Sequence, residues 1–514
     1  MTAPGSFPQH SVDFPRTFRV SVSLLLFATL GLCVMRLWLM PLPSSFWVDE
    51  LGTVFVVRHG ASEPSLRAAP QVADSIYYVL PTLAGKLAGT NEISYRLFSV
   101  LAMGGALFAI ARLAARLIDP RAAWLAVFGC LASRSFNYEA ADARPYALGS
   151  LVLTWAILLL VRWLDSGRVR DALLFAAAAS LLWWVHLIFW PFYLLFFLYA
   201  GFRIGTAQTS IGWLPLVALF SAIAIATAPV AFRALSLLHQ AGEHVVVAPP
   251  HFNDLTVELK LGLMTGIFTV GSLAAGYFGW RSPQISLSSA SMLLIGGWWL
   301  IDPLALFGFS RITGNSVFVA RYMYLALPGM TLAALMLVAR FIPAGHWRSL
   351  ALGLGAAVFL FGGHWNHFRL PHHNSDWKAA ATALREWTRG EEIPVICPSP
   401  FIEARSPVWS PDYPVSGFLY SHLSFYPMGG RVYPFPFESS REVEAYARTL
   451  SLERLSRVPR FAIYGGDRSV RFWRQWFAAR PELDDWENRM LGVYGDVNIV
   501  VFEPRLEAQR KPVE

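Results

Sequence analysis

The sequence predicts a polytopic α-helical membrane protein with a small C-terminal α/β domain, and three observations predict it. Apolar stretches of roughly 16 to 23 residues, near the length that crosses a bilayer, recur between Val20 and Trp365. The 514 residues are 55% hydrophobic, with 20 Trp and 37 Phe, well outside the range of ordinary soluble domains. Beyond the last apolar stretch the pattern changes to short strand-like and helical runs.

The apolar stretches number about eleven, with cores near Val20–Met40, Ser94–Leu117, Ala122–Phe136, Tyr146–Trp163, Ala172–His186, Ile188–Phe202, Ile211–Phe232, Leu255–Trp280, Ile285–Phe307, Tyr322–Phe341 and Leu350–Trp365. The first lacks a small-x-small cleavage site and is followed by many more, so it reads as a retained helix rather than a signal peptide. The expected division is a membrane domain over residues 1–369 and an extracytoplasmic domain over residues 370–514.

Charge supports that division. Residues 1–369 carry 24 Lys+Arg against 15 Asp+Glu, and residues 370–514 carry 18 against 19. The net +8 therefore belongs to the membrane part and speaks for topology rather than for nucleic-acid binding. With a cytoplasmic amino terminus, Arg112, Arg116, Arg121, Arg162, Arg168, Arg170, Arg203 and Arg340 fall in inner connections, while Asp49, Glu50, Glu92, Glu139, Asp142 and Asp302 fall outside. An odd number of spans then puts the tail on the side of Asp49. Cys33 and Cys130 lie in apolar segments and Cys397 stands alone in the tail, so no disulfide framework is available.

In the tail, Ile393–Cys397, Arg460–Tyr464 and Val497–Phe502 read as strands, and Asp376–Trp387, Ser440–Leu452 and Val470–Ala479 as helices. Pro398 to Pro436 is rich in Pro and aromatics and reads as loop.

The chemistry-bearing residues gather near the outer ends of these segments. Asp49 and Glu50 follow the first apolar segment, where an acid pair is costly without a use. Capping of a helix near Leu51 accounts for one acid and not for two; a general base or a metal ligand accounts for the other. Arg134, Glu139, Asp142 and Arg144 crowd the connection before Tyr146, although Asp142 and Pro145 also make a good helix start. Arg96 and Arg321 each begin a helix, against the macrodipole, so an anion or an acid is expected to offset them. His186 reads as a packed helix-end residue, and His364, His367, His372 and His373 as an exposed linker without zinc-site spacing.

Taken in order, Trp47-Val-Asp49-Glu50, Arg96-Leu-Phe-Ser99, Asp142-Ala-Arg144-Pro-Tyr146, Arg321-Tyr322 with Pro328, and Asp376-Trp377-Lys378 resemble the GT-C glycosyltransferases. The pattern is most similar to the bacterial branch that contains protein O-mannosyltransferases and lipid A aminoarabinose transferases. The resemblance implies transfer of a sugar from a polyprenyl-phosphate donor to an acceptor hydroxyl on the outer face of the bacterial inner membrane. It implies Asp49 as base, Glu50 and Asp142 as catalytic supports or ligands of a divalent cation such as Mg or Mn, and Arg96, Arg144 and Arg321 as contacts to the lipid phosphate. Tyr77, Tyr146 and Tyr322 are expected on the substrate side. The chain departs from the pattern where many relatives carry a His-Pro-Pro-like element: Asp74-Ser75-Ile76 precedes Tyr77-Tyr78. A transporter or flippase of lipid-linked glycans and a non-catalytic glycan-binding relative are the alternative readings.

Overall fold

A computed structural model describes residues 16–69, 72, 75–244, 247–280, 285, 287–363 and 371–505. Asp74, His364, His367 and the expected boundary at 369/370 lie outside the described residues.

The membrane part is built from α1 (Arg16–Val34), α2 (Val48–His59), α3 (Val79–Ala88), α4 (Glu92–Leu117), α5 (Ala123–Leu131), α6 (Arg134–Ala140), α7 (Tyr146–Ser166), α8 (Val169–Val185), α9 (Pro191–Gly205), α10 (Trp213–His244), α11 (Phe252–Glu258), α12 (Leu261–Tyr277), α13 (Ser289–Thr313), α14 (Leu327–Phe341) and α15 (Trp347–Phe361). Among the described residues, eight helices are long and apolar enough to cross a membrane, or nine if α11 and α12, bent by 48° at their junction, make one span. The sequence suggests about eleven because α5 and the part of α8 after Asp171 are apolar, but these helices of 9 and 17 residues stop short of that length. A serine cap ends the apolar run after α5, Ser133 accepting from the Phe136 amide, and the backbone turns extended at His186 after α8. Asp302, expected in an outer connection, lies inside α13 and is buried.

Burial ranks the helices. α7 is apolar on every side and is the most enclosed, packed between α4 and α8, whereas α10 turns most of its surface outward, as a lipid-facing helix does. α4 starts on a reciprocal cap in which the Asn91 side chain accepts from the Ser94 amide (2.9 Å) and the Ser94 hydroxyl accepts from the Asn91 amide (3.2 Å). α14 meets α13 at Gly329, where a Cβ would come within 2.6 Å of the Trp299 amide nitrogen; a small residue here lets the two backbones touch. At the end of the bundle away from Asp49, Asp165 ties Arg116 (2.5 Å) to Arg203 (2.6 Å), joining α4, α7 and α9.

The tail contains α16 (Trp377–Thr388), α17 (Ser421–Phe425), α18 (Arg441–Glu453) and α19 (Asp467–Ala478) around five strands: β1 (Pro394–Pro398), β2 (Arg431–Phe435), β3 (Phe461–Gly466), β4 (Trp486–Tyr494) and β5 (Val497–Pro504). The sheet order is β2-β1-β3-β5-β4, parallel from β2 to β3 and antiparallel across β5 and β4. β1, β3 and β5 match the strands expected from sequence; β2 and β4 are the two edges. β2 falls within the stretch read as loop, and its Pro434 is tolerable because it lies at the sheet's margin. The β4–β5 turn uses Gly495 at φ +65, and a Cβ there would collide with the Asn374 carbonyl, since the chain leaving the membrane part is laid against this turn. Asp496 donates its amide to Asn374 (3.1 Å), and Asp376 donates to Tyr494 (3.2 Å).

The apolar core of the tail does not end at the tail. Phe46, Leu51, Val54, Phe55 and Leu66 belong to the same buried cluster as Trp377, Phe401, Phe418 and the sheet. Polar contacts follow the seam: the Lys378 amide donates to Ser45 (3.0 Å), the Phe418 amide to Ser65 (3.2 Å), and the Tyr426 hydroxyl to Glu92 (3.1 Å) while accepting from the Phe46 amide (2.8 Å). Asp49, Glu50 and the tail are therefore on one side of the bundle.

Candidate active site

Trp47, extended at the end of the loop after the first span, is the N-cap of α2, and Glu50 closes it by accepting from the Trp47 amide (3.2 Å). Asp49 is not used in the cap. The first turn of α2 thereby sends Glu50 inward and Asp49 outward, and two layers of groups follow from that split.

In the inner layer Glu50 and Arg96 are both fully buried and face each other fork to fork, Arg96 Nε donating to Oε1 (2.7 Å) and Nη2 to Oε2. Arg96 gives its remaining N–H groups to the carbonyls of Leu42 (2.8 Å), Ser44 (2.7 Å) and Ser45 (3.2 Å). The sequence suggests a phosphate contact for Arg96, but here each of its N–H donors already has an acceptor, and none faces outward. Glu50 Oε1 also accepts from the Ala143 amide (2.8 Å), which ties α2 to the α6–α7 turn. Asp142, in that turn, accepts at Oδ1 from Trp47 Nε1 (3.0 Å), and its carbonyl accepts from the Ser99 hydroxyl (2.5 Å). His372 brings Nε2 to 3.3 Å from Asp142 Oδ1 and 4.0 Å from Glu50 Oε1. Tyr77 is buried beside the same carboxylates and Ser99.

Burial moves the titrations apart. It pushes Asp142 up to about 6, against the pull of Trp47, Arg144 and Arg96. It raises Glu139 well above the usual carboxylate range, with Asp142 adding to the effect, and lowers His372 to about 3, so that its imidazole is neutral.

The outer layer is centred on Asp49. Its carboxylate forms an ion pair with Arg321, and its carbonyl accepts from Arg144 Nη1 (3.2 Å). Asp49 and Arg321 are the accessible members of the site, with side chains 23% and 39% exposed, against none for Glu50 and Arg96. Arg321 lies in the short helical turn Ala320–Ala326 ahead of α14. Tyr146 and Tyr322 stand 6.3 Å apart, each near the His186 ring, at 5.4 and 5.8 Å. Glu403, from the loop after β1, is close enough for Asp49 and Arg321 to act on its carboxyl, which burial raises first.

The structure thus gathers Asp49, Glu50, Asp142, Arg96, Arg144, Arg321, Tyr77, Tyr146 and Tyr322 around the first turn of α2. Sequence reasoning misses His372, taken for exposed linker: it is buried, rests on the Tyr138 ring (4.2 Å between centroids) and donates its amide to Ser44 (3.0 Å). His373 stacks on Trp47 (5.3 Å, 8° between planes). The one available signal was that both follow a span whose outer side already held the acids.

Glu50, Asp142 and His372 offer one ligand atom each within 4.8 Å of one another, the arrangement of a candidate cation site. The oxygens of Glu50, however, already accept from Arg96, Ala143 and Trp47, leaving Asp142 Oδ2 and the His372 imidazole as open donors. One oxygen and one nitrogen do not fit Mg²⁺ or Mn²⁺, which favour oxygen-rich shells.

No family model matches the chain, and no curated protein matches it. Among solved structures, ArnT from Cupriavidus metallidurans in the apo state aligns with a TM-score of 0.53 at 12% identity, covering 97% of this chain and 100% of that one. The same protein bound to undecaprenyl phosphate aligns at 0.51 and 12%, covering 95% and 98%. An oligosaccharyltransferase from Archaeoglobus fulgidus, in complex with Zn and sulfate, gives 0.40 at 14% identity over 86% of this chain and 68% of that one. The helical bundle and the C-terminal sheet together have the fold of ArnT.

Proposed function

We propose that this integral membrane protein is a glycosyltransferase that moves a sugar from a polyprenyl-phosphate donor to an acceptor hydroxyl on the extracytoplasmic face of a bacterial inner membrane, with its amino terminus cytoplasmic. The observation that carries the reading is the partly exposed Asp49 carboxylate, held by Arg321 with Arg144 alongside, where spanning helices end and the tail begins. The fold is shared with ArnT, which has been solved with undecaprenyl phosphate.

In the proposed reaction Asp49 accepts the proton of the acceptor hydroxyl as that oxygen bonds to the anomeric carbon. The bond from this carbon to the phosphate oxygen breaks, and its electron pair leaves with the lipid phosphate. Arg321 and Arg144 meet the charge that develops there, which stabilises the transition state more than the ground state. Attack from the face opposite the phosphate inverts the anomeric centre. In the free protein Arg321 is paired with Asp49; a donor phosphate that takes Arg321 releases the carboxylate to the acceptor. Arg96 positions Glu50 and through it the α6–α7 turn, without touching substrate. No step runs through a metal ion, so a chelator leaves the rate of transfer unchanged; loss of transfer on chelation, restored by one cation, would refute this part.

Transport is the weaker reading. Along α4 from Leu97 to Ala111 and α7 from Ala147 to Val161 no charge joins the acids at one end to Asp165 at the other, and the buried Asp302 is the one acid of α13. The deciding assay is transfer from a panel of polyprenyl-phosphate sugars by the full-length protein in detergent. Asp49→Asn should lower the rate by about 10²–10⁴, the range of a lost general base, with unchanged thermal unfolding. Full activity of that variant removes Asp49 from the mechanism.

A further inference from the structure

The site holds more buried polar atoms than its own hydrogen bonds satisfy. Glu139, on α6, is 3% exposed, and its Oε2 meets no donor. Asp142 spends Oδ1 on Trp47, with His372 Nε2 at 3.3 Å, and leaves Oδ2 without a partner. Arg144 and Arg321 each direct a terminal nitrogen to Asp49 and leave Nε without an acceptor. These atoms belong to one place: the Asp142 amide donates to the Glu139 carbonyl (3.5 Å), Arg144 follows two residues later, and α6 packs against the turn that carries Arg321.

A buried polar atom without a partner is unfavourable, and four around one carboxylate are not a packing accident to be expected of a finished core. Their types describe what is missing. Guanidinium N–H groups require acceptor oxygens; carboxyl oxygens require O–H or N–H donors. A ligand that answers both presents anionic oxygens at one end and hydroxyl groups close by, as a phosphate-linked sugar does, whereas a bare lipid phosphate satisfies only the arginines.

Resting on the reading above, we propose that Glu139 and Asp142 Oδ2 form the wall of the donor site that binds the hydroxyl groups of the transferred sugar, with Glu139 a specificity-determining residue. Neither oxygen is spent on the Asp49–Arg321 pair or on the Glu50–Arg96 pair, so removing the Glu139 carboxyl leaves both ion pairs intact.

The test separates sugar from phosphate. Affinity of the full-length protein is measured for undecaprenyl phosphate and for undecaprenyl-phosphate-linked hexose and pentose, in wild type, Glu139→Ala and the near-isosteric Glu139→Gln. In wild type at least one linked sugar should bind about 10-fold or more tighter than the bare phosphate, the size of one good buried hydrogen bond. In Glu139→Ala that sugar-dependent gain should vanish while affinity for undecaprenyl phosphate stays within threefold, and in Glu139→Gln the gain should shrink. An equal gain in all three proteins, or no gain in wild type, overturns the proposal. A Glu139-dependent gain in a protein that transfers no sugar upholds this subsite and refutes the transferase reading; transfer without such a gain does the reverse.

Discussion

Arg96 and Arg321 bear the same charge beside neighbouring acids, yet their surroundings give them opposite duties. Arg96 is sealed in with Glu50 and has no donor to spare, so its loss leaves a buried carboxylate unpaired, which costs about 3–5 kcal/mol. Arg96→Met should therefore lower the unfolding temperature sharply and leave little assembled protein, whereas Arg96→Met combined with Glu50→Met should recover much of that stability, because no lone charge remains. Recovery absent in the double variant would show that the carbonyl contacts of Arg96 matter more than its pair. Arg321 is partly exposed and its pair with Asp49 is correspondingly cheap to break. Arg321→Ala should leave unfolding within about 1 kcal/mol of wild type and raise the KM for the lipid-phosphate donor about 10- to 100-fold; an unchanged KM would take Arg321 off the phosphate. Asp49 and Arg321 stand out in the sequence because each violates a local rule, an acid after a membrane segment and a cation at a helix start, and the structure pairs the two. His372 violates none. Its burial is decided by Ser44 and Asp142, which lie 328 and 230 residues away in the chain, and no local pattern carries that distance.

Among the elements, α7 was legible because it is apolar on all sides over a full span, and α4 because its apolar run from Ser94 to Leu117 is as long as a span. The count of spans was less legible, since hydropathy alone does not distinguish α5, packed inside the bundle, from a helix that crosses it. In the tail, β1, β3 and β5 showed as continuous apolar runs because both of their faces are covered; β2 and β4 did not, because a sheet's margins are half exposed and tolerate Pro and charge. The contact between α13 and α14 has a consequence for the site, because the turn carrying Arg321 lies directly ahead of α14. Gly329→Leu places a side chain against the Trp298 and Trp299 backbone and should cost about 1–3 kcal/mol by overpacking. It should also impair donor use more than Gly329→Ala does. Wild-type stability and kinetics in the leucine variant would show that the two helices are free to separate.

At the scale of the whole molecule, two buried imidazoles hold a common dependence on pH. His372 in the site and His422 in the tail, the latter beside Cys397 (3.5 Å) and the Trp377 and Tyr464 rings, are both lowered by burial to about 3 from 6.5. The folded protein keeps them neutral, while the unfolded chain takes up a proton at each once the pH falls below about 6.5. Stability is thus complete above that pH and is lost as it falls toward 3, by about 1.4 kcal/mol per unit for each imidazole. His422→Gln should make the decline in unfolding temperature between pH 6.5 and 4 visibly shallower than in wild type; an unaltered slope would assign the decline to other groups.

The shared apolar cluster of α2 and the sheet determines how such a protein can be rearranged. Grafting a foreign C-terminal region onto this bundle would strip Phe46, Leu51, Val54, Phe55 and Leu66 of their neighbours. A productive chimera has to import the stretch from Phe46 to Leu66 along with the sheet, and that stretch contains Asp49. Asp49 and the C-terminal sheet are inherited as one cassette.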